Sequence, residues 1–210
     1  MTDKKIIFSS LVLAALLIGG GWYFSRGTSQ SAAILPSSSA EATAKEQGII
    51  IGNPDAPVVM EEYTNFLCPA CARFAQETLG QIIDDYVKPG KVKLVIYLFP
   101  PLELGNAALC ADEQGKFTEY HDFMFSHQSS ITKEEDIKDF AVNAGLDGAK
   151  FNECYDSGRY TEKATIWNSE GEGRGVTSTP TFFINGQKFV GAYPYTDFKK
   201  IIEQKLESAK

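Results

Sequence analysis

Residues 58–99 read VVMEEYTNFLCPACARFAQETLGQIIDDYVKPGKVKLVIYLF, and this stretch decides the fold. Its two apolar runs, residues 58–63 and 92–99, are rich in β-branched and aromatic side chains, which is typical of buried strands. The segment between them has apolar residues at helical spacing, and Pro89-Gly90 ends it. These apolar residues are Phe74, Leu79, Ile82, Ile83 and Tyr86. A strand, a helix and a second strand in this order predict a parallel pair with a right-handed crossover.

The rest of the chain adds a helical block, a hairpin and a final helix. From residue 104 to about 174 the apolar residues follow helical spacing, and no strand-like run interrupts them. Two apolar runs then flank Asn185-Gly186, a dipeptide that suits a type I′ turn because both residues tolerate positive φ. The final helix has an apolar stripe of Phe198, Ile201, Ile202 and Leu206. The prediction is an α/β fold with a mixed central sheet flanked by helices and a helical insertion at about residues 102–174.

The N-terminal segment predicts a membrane anchor. Residues 6–24 carry no charge, and as a helix they would span roughly 28 Å, close to the thickness of a bilayer core. Lys4 and Lys5 precede this run, so the positive-inside rule places the N-terminus in the cytoplasm. The alternative is a cleaved signal peptide, but the nearest small-residue site, Ser31-Ala32-Ala33, lies well past the apolar run. Either interpretation exports the rest of the chain.

The domain organisation follows from these patterns. We assign residues 1–26 to the N-terminal transmembrane helix, 27–47 to a flexible linker rich in Ser and Ala, and 48–210 to one folded domain. The formal net charge of −7, with no compact basic tract, argues against a nucleic-acid partner.

The residues with the clearest chemistry are Cys68-Pro69-Ala70-Cys71, where the first strand gives way to the helix. A thiolate at a helix N-terminus is stabilised by free backbone N–H groups, and this lowers its pKa from about 8.5. We therefore expect Cys68 to be the nucleophile and Cys71, one turn further in, to be the resolving partner. Pro69 suits the first helical turn, where its missing N–H costs nothing. The alternative is that Cys68 and Cys71 form a disulfide with a purely structural role.

A CxxC motif is also half of a typical zinc site, which needs a second pair of cysteine or histidine ligands. This sequence has no second pair at a suitable spacing. Cys110 and Cys154 stand singly, and His121 and His127 are six residues apart. We interpret these histidines as surface residues beside an aromatic core. No metal and no cofactor are expected.

Three separated motifs, EEYTNFLCPAC at 61–71, EQGKFTEYHDFMF at 113–125 and GVTSTPTFFING at 175–186, occur in one order. From about Gly48 onward the chain resembles the DsbA-like branch of the thioredoxin superfamily. The resemblance implies a thioredoxin-like fold and a protein thiol-disulfide oxidoreductase. It also implies that Glu62 is a buried acid assisting proton transfer at Cys71, and that Thr179-Pro180 forms a cis-proline loop beside the active site that binds substrate backbone.

The resemblance bears on the remaining cysteines as well. Cys110 and Cys154 could pair in an oxidising compartment, and closing a loop of about 45 residues would stabilise the fold by roughly 4 kcal/mol. Many relatives have a second pair in the helical insertion, so we expect a structural disulfide, with two buried free thiols as the alternative.

The expected activity is oxidation of cysteine pairs in unfolded or reduced exported proteins. The domain would act as a monomer on the periplasmic or extracellular face of the membrane and be reoxidised by a quinone-linked membrane partner. The best-known oxidase of the branch has histidine at the position of Ala70 and valine at that of Thr179, so a weaker oxidant is expected here. The alternatives are a reductase or isomerase kept reduced by a membrane partner, and a tethered binding module without catalysis.

Overall fold

A computed structural model of the protein describes residues 48–209. Five strands form one sheet, and they are β1 (Ile49–Ile51), β2 (Val58–Thr64), β3 (Val92–Leu98), β4 (Thr181–Ile184) and β5 (Gln187–Val190). Helix α1 begins at Pro69 and continues to Val87, with wider π-helical turns at Ala75–Leu79 and Ile83–Val87. The other helices are α2 (Leu102–Glu113), α3 (Phe117–Ser126), α4 (Glu134–Asn143), α5 (Gly148–Asp156), α6 (Thr161–Gly173) and α7 (Tyr195–Ser208).

The sheet is mixed, with the strand order β1-β3-β2-β4-β5. Strands β2 and β3 are parallel, as the strand-helix-strand pattern predicts, and every other pair is antiparallel. The turn between β4 and β5 has φ of 43° at Asn185 and 78° at Gly186, which confirms the predicted positive-φ turn. Strand β1 was not predicted, because three isoleucines are too short a run to show a period.

Five helices between β3 and β4 form the predicted helical insertion, and it packs closely onto the sheet. A Cβ atom placed on Gly171 of α6 would lie 2.8 Å from the ring of Tyr63 on β2. A Cβ on Gly105 of α2 would lie 2.8 Å from the Cβ of Ala164 on α6. Glycine at these two positions therefore allows the helix backbones to approach the sheet and each other.

The prediction of surface histidines was half wrong. His127 is exposed, but the His121 side chain is buried between Phe66, Phe117 and Phe125. Helical spacing places His121 on the same face as Phe117 and Phe125, four residues away on either side, and that face packs under the loop that contains Phe66.

The predicted anchor and linker, residues 1–26 and 27–47, lie outside the described residues. Within residues 48–209, no helix has both the length and the apolar character needed to cross a bilayer.

Candidate active site

The loop between β2 and α1 places Cys68 at the start of the helix. Asn65 shapes this loop, since its side-chain oxygen accepts a hydrogen bond from the Leu67 amide at 2.7 Å and its carbonyl accepts one from the Cys68 amide at 3.0 Å. Cys68 is the N-cap residue in an extended conformation, and Pro69 occupies the first helical position. The sulfur of Cys68 therefore lies beside the free amides of the first turn.

Cys68 is half-buried, and its thiol donates a hydrogen bond to the Thr179 carbonyl oxygen at 3.2 Å. Partial burial is the largest single influence on the pKa of Cys68, and it favours the neutral thiol. The hydrogen bond that the thiol donates to the Thr179 carbonyl also favours the neutral form. Hydrogen bonds from the Thr179 side chain, from Cys71 and from the Ala70 amide outweigh these influences and lower the pKa of Cys68. The absence of a polar side chain at Ala70 therefore does not leave the sulfur without donors.

Cys71 lies one turn further along α1 and has no solvent exposure. Burial raises the pKa of its thiol to about 12, and the nearby carboxyl of Glu62 acts in the same direction. Both cysteines are free thiols in this structure. The two sulfurs thus differ strongly, with an accessible thiol that ionises easily and a buried thiol that keeps its proton.

Glu62 lies on β2 with 1% of its surface exposed. Burial raises the pKa of its carboxyl to about 8, so the acid is largely protonated at neutral pH. The neighbouring Glu61 points to the other face of the sheet, where both of its oxygens accept hydrogen bonds from Arg174 at 2.7 Å. Because side chains alternate between the two faces of a strand, Glu61 forms an ion pair on one face and Glu62 is buried without an ion pair on the other.

The Thr179-Pro180 peptide bond is cis, as the resemblance implies, and the loop lies directly against Cys68 through the Thr179 carbonyl. The loop is held at both sides, because the Thr181 hydroxyl donates to the Ser178 carbonyl at 2.7 Å and the Gly191 amide donates to the Pro180 carbonyl at 2.8 Å. The fold therefore brings Glu62, Cys68, Cys71 and the Thr179-Pro180 loop together from three elements.

Sequence reasoning missed Gln128, which lies in a short 3₁₀ turn after α3. Its side-chain amide donates to the carbonyls of Phe66 at 2.7 Å and of Cys68 at 3.0 Å. The helical insertion thus contacts the backbone of Cys68 itself. No local pattern in the sequence marks this glutamine, since its partners lie about 60 residues earlier in the chain.

Cys110 on α2 and Cys154 on α5 form a disulfide with a sequence separation of 44. The expected pairing is therefore present within the helical insertion, and the alternative of two free thiols is wrong. Across residues 48–209, no group of three or more His, Cys, Asp or Glu side chains could hold a metal ion.

A family profile described as thioredoxin matches residues 44–204. The Na(+)/H(+) antiporter NhaA 3 of Salinispora tropica is 30% identical over 149 residues, which are 68% of this chain but 22% of the antiporter. This chain therefore spans less than a quarter of that relative. A probable disulfide bond formation protein D of Bacillus anthracis is 25% identical over 170 residues, covering 75% of this chain and 77% of the relative.

Two solved structures have the same fold. Oxidised BdbD from Bacillus subtilis superposes with a TM-score of 0.70 at 20% identity, covering 78% of this chain and 94% of BdbD. Wolbachia pipientis alpha-DsbA1 superposes with a TM-score of 0.70 at 23% identity, covering 76% and 91% of the two chains. The DsbA-like thioredoxin fold predicted from the three sequence motifs is confirmed.

Proposed function

The chain belongs to the thioredoxin family, and from this membership we propose that it is an extracytoplasmic thiol-disulfide oxidoreductase that oxidises cysteine pairs in exported proteins through Cys68 and Cys71. The observation that carries the proposal is the contrast between these two thiols. Cys68 is accessible and has a lowered pKa, whereas Cys71 is buried and has a pKa of about 12. A stable thiolate at the first sulfur favours the reduced enzyme and therefore favours oxidation of the substrate.

The reaction would begin from the Cys68–Cys71 disulfide. A substrate thiolate attacks the sulfur of Cys68, a new sulfur–sulfur bond forms, and the Cys68–Cys71 bond breaks with its electron pair on Cys71. Cys71 then takes a proton, and the nearest acid is the protonated carboxyl of Glu62. A second substrate thiolate attacks the substrate sulfur of the mixed disulfide and releases Cys68 as a thiolate. The substrate loses two electrons and the enzyme gains them.

The Thr179-Pro180 loop would bind the substrate backbone next to the reacting sulfur. The loop already touches Cys68, so an extended peptide whose cysteine reaches Cys68 must pass along it. Backbone N–H and C=O groups can hold an extended peptide without regard to its side chains. This suits an enzyme that acts on many unfolded proteins.

A redox titration against glutathione tests the proposal and its direction. We expect the Cys68–Cys71 pair to be more oxidising than glutathione, and Cys68→Ser to abolish disulfide formation in a reduced, unfolded substrate. Each unit by which the pKa of Cys68 is lowered corresponds to about 30 mV for the two-electron couple. A pair more reducing than glutathione would instead indicate a reductase or isomerase. Substrate oxidation by Cys68→Ser at the wild-type rate would show that the catalytic assignment is wrong, whereas a wild type that oxidises no substrate would indicate a binding module.

The location and the redox partner also belong to this proposal. The uncharged run at residues 6–24 supports a single-pass anchor with the catalytic domain outside the cytoplasm. The Cys110–Cys154 disulfide supports the same compartment, since structural disulfides persist in oxidising environments. An oxidase must pass its electrons on, and a quinone-linked membrane protein is the partner class that we propose.

A further inference from the structure

Thr64 is a buried residue of β2 whose side chain acts on both Glu62 and Cys71. Residues 62 and 64 are two positions apart on β2, so their side chains project from the same face of the sheet. Glu62 is 1% exposed and Thr64 is not exposed at all, and Cys71 on α1 is equally buried. These side chains therefore form a polar group of acid, hydroxyl and thiol that bulk water does not reach.

Two oxygen atoms of this group have no hydrogen-bond partner. They are Oε2 of Glu62 and Oγ1 of Thr64. A buried polar atom without a partner costs about 1–3 kcal/mol, and valine would fill the space of Thr64 without that cost. A hydroxyl at this position therefore needs an explanation other than packing or stability.

The hydroxyl of Thr64 acts on both titrating groups. Burial dominates and raises the pKa of Glu62 and of Cys71, but the Thr64 side chain lowers the pKa of each of them. The other groups near Cys71 are Cys68, the Thr179 side chain and the Asn65 backbone. Unlike these three groups, the Thr64 side chain also lowers the pKa of Glu62. The ion pair of Glu61 with Arg174 lies on the opposite face of β2.

We propose that the Thr64 hydroxyl is a proton relay that connects the Glu62 carboxyl to the Cys71 sulfur. This inference rests on the proposed function and deepens it. When a substrate thiolate opens the disulfide, Thr64 gives its hydroxyl proton to the Cys71 thiolate and receives the proton of the Glu62 carboxyl. When the enzyme is reoxidised, the Cys71 thiol gives its proton to Thr64, and Thr64 gives its own to the Glu62 carboxylate. Each direction moves one proton and leaves Thr64 unchanged.

A hydroxyl suits this role because it is donor and acceptor at once. Rotation about the Cβ–Oγ1 bond turns the hydroxyl proton of Thr64 toward either Glu62 or Cys71. Neither neighbour holds the hydroxyl in a hydrogen bond of regular geometry, so that rotation stays free.

The experiment isolates the step in which Cys71 loses its proton. The full-length reduced protein is mixed with glutathione disulfide, and the reaction is quenched in acid at intervals and analysed by mass. The mixed disulfide at Cys68 forms without Cys71, and it decays when the Cys71 thiolate displaces glutathione. Formation and decay therefore report on the two cysteines separately.

Thr64→Val removes the hydroxyl at constant shape, and Thr64→Ser keeps the hydroxyl as the matched control. We expect Thr64→Val to prolong the lifetime of the mixed disulfide about tenfold or more, as befits loss of acid-base assistance. Its rate of formation should stay within about twofold of the wild type, and Thr64→Ser should restore rapid decay. Unfolding in urea should show that Thr64→Val and Thr64→Ser are both folded under the conditions of the assay.

The pH profile and a double variant separate a relay from a packing effect. In the wild type the decay rate should rise as Glu62 ionises near pH 8, and Thr64→Val should lose this rise. Glu62→Gln should prolong the lifetime by a similar factor, and combining the two substitutions should add little, since both interrupt one path. Decay in Thr64→Val at the wild-type rate and pH profile would overturn the relay. A wild type that forms no mixed disulfide at Cys68 would overturn the proposed function instead.

Discussion

Cys68 and Cys71 are three residues apart on one helix, and yet the pKa of the first is lowered and that of the second is raised to about 12. The first sulfur lies at the N-cap among donors, whereas the second lies inside the core beside a carboxyl. We therefore predict that iodoacetamide modifies Cys68 well below pH 8.5, the pKa of a free cysteine being about 8.5. Peptide mass analysis of the reduced protein across a pH series measures this.

The same series contains its own control. Cys71 should stay unmodified at every pH at which Cys68 reacts, because it is both buried and protonated. A Cys68 that reacts with the pH dependence of free cysteine would remove the basis of the proposed mechanism.

Glu62 should make the folded state sensitive to pH. Burial raises the pKa of its carboxyl from 4.5 to about 8, so the folded protein holds this proton more tightly than the unfolded chain does. The contribution to stability is therefore intact at about pH 4.5, falls as the pH rises toward 8, and is level above it. We predict that Glu62→Gln raises the free energy of unfolding of the reduced protein by on the order of 3 kcal/mol near pH 8.

Urea unfolding of both proteins at pH 4.5 and pH 8 measures this difference. The gain should nearly vanish at the lower pH, where the carboxyl of the wild type is protonated in the folded state and about half protonated in the unfolded chain. An equal difference at the two pH values would mean that the effect comes from packing and not from ionisation.

At the scale of elements, helix α6 approaches the sheet at Gly171. A Cβ there would lie 2.8 Å from the ring of Tyr63, whereas a Cβ on Gly173, in the same helix, meets nothing within 4 Å. We predict that Gly171→Ala lowers the free energy of unfolding by about 1–3 kcal/mol through overpacking. Gly173→Ala, measured in the same thermal and urea unfolding experiments, should leave stability unchanged or slightly higher.

The comparison is matched because both substitutions add one methyl group to α6. A loss of stability in both variants would mean that the helix terminus, and not the contact with Tyr63, determines the result.

The Cys110–Cys154 disulfide ties α2 to α5 within the helical insertion. Replacing both cysteines by alanine should lower the free energy of unfolding by about 4 kcal/mol, because the unfolded chain loses a closed loop. Thiol-disulfide exchange at Cys68 should continue at temperatures where this variant is folded. Loss of exchange in the folded double variant would show that the second disulfide is part of the reaction and not only of the scaffold.

At the scale of the whole molecule, the N-terminal segment and the catalytic domain should be separable. A chain that begins at residue 48 should keep the exchange rate of the full-length protein, since every site residue lies after that position. It should also lose the membrane attachment that we propose for residues 6–24. Fractionation and the glutathione assay, applied to both chains, measure the two properties. Membrane attachment of the shorter chain would contradict the anchor.

Much of this molecule can be predicted locally. The strand-helix-strand unit, the helical block and the hairpin at Asn185-Gly186 follow from hydrophobic period and turn chemistry, and the structure has all of them. The position of Cys68 at a helix start follows in the same way. Strand β1 and the burial of His121 do not, because one is too short to show a period and the other depends on the Phe66 loop packing over α3.

The amino-acid sequence by itself determined the order of the helices and of strands β2 to β5, the CxxC motif at a helix start and the presence of an acid six residues before it, because these depend on local spacing and residue type. Only the tertiary structure decided that Glu61 is paired with Arg174 while Glu62 is buried without an ion pair. It also decided that the Thr64 side chain acts on both Glu62 and Cys71, and that Gln128 contacts the backbone of Cys68. Burial and pKa are set by parts of the chain that are distant in sequence, and these parts meet only when the sheet and the helical insertion close around the site.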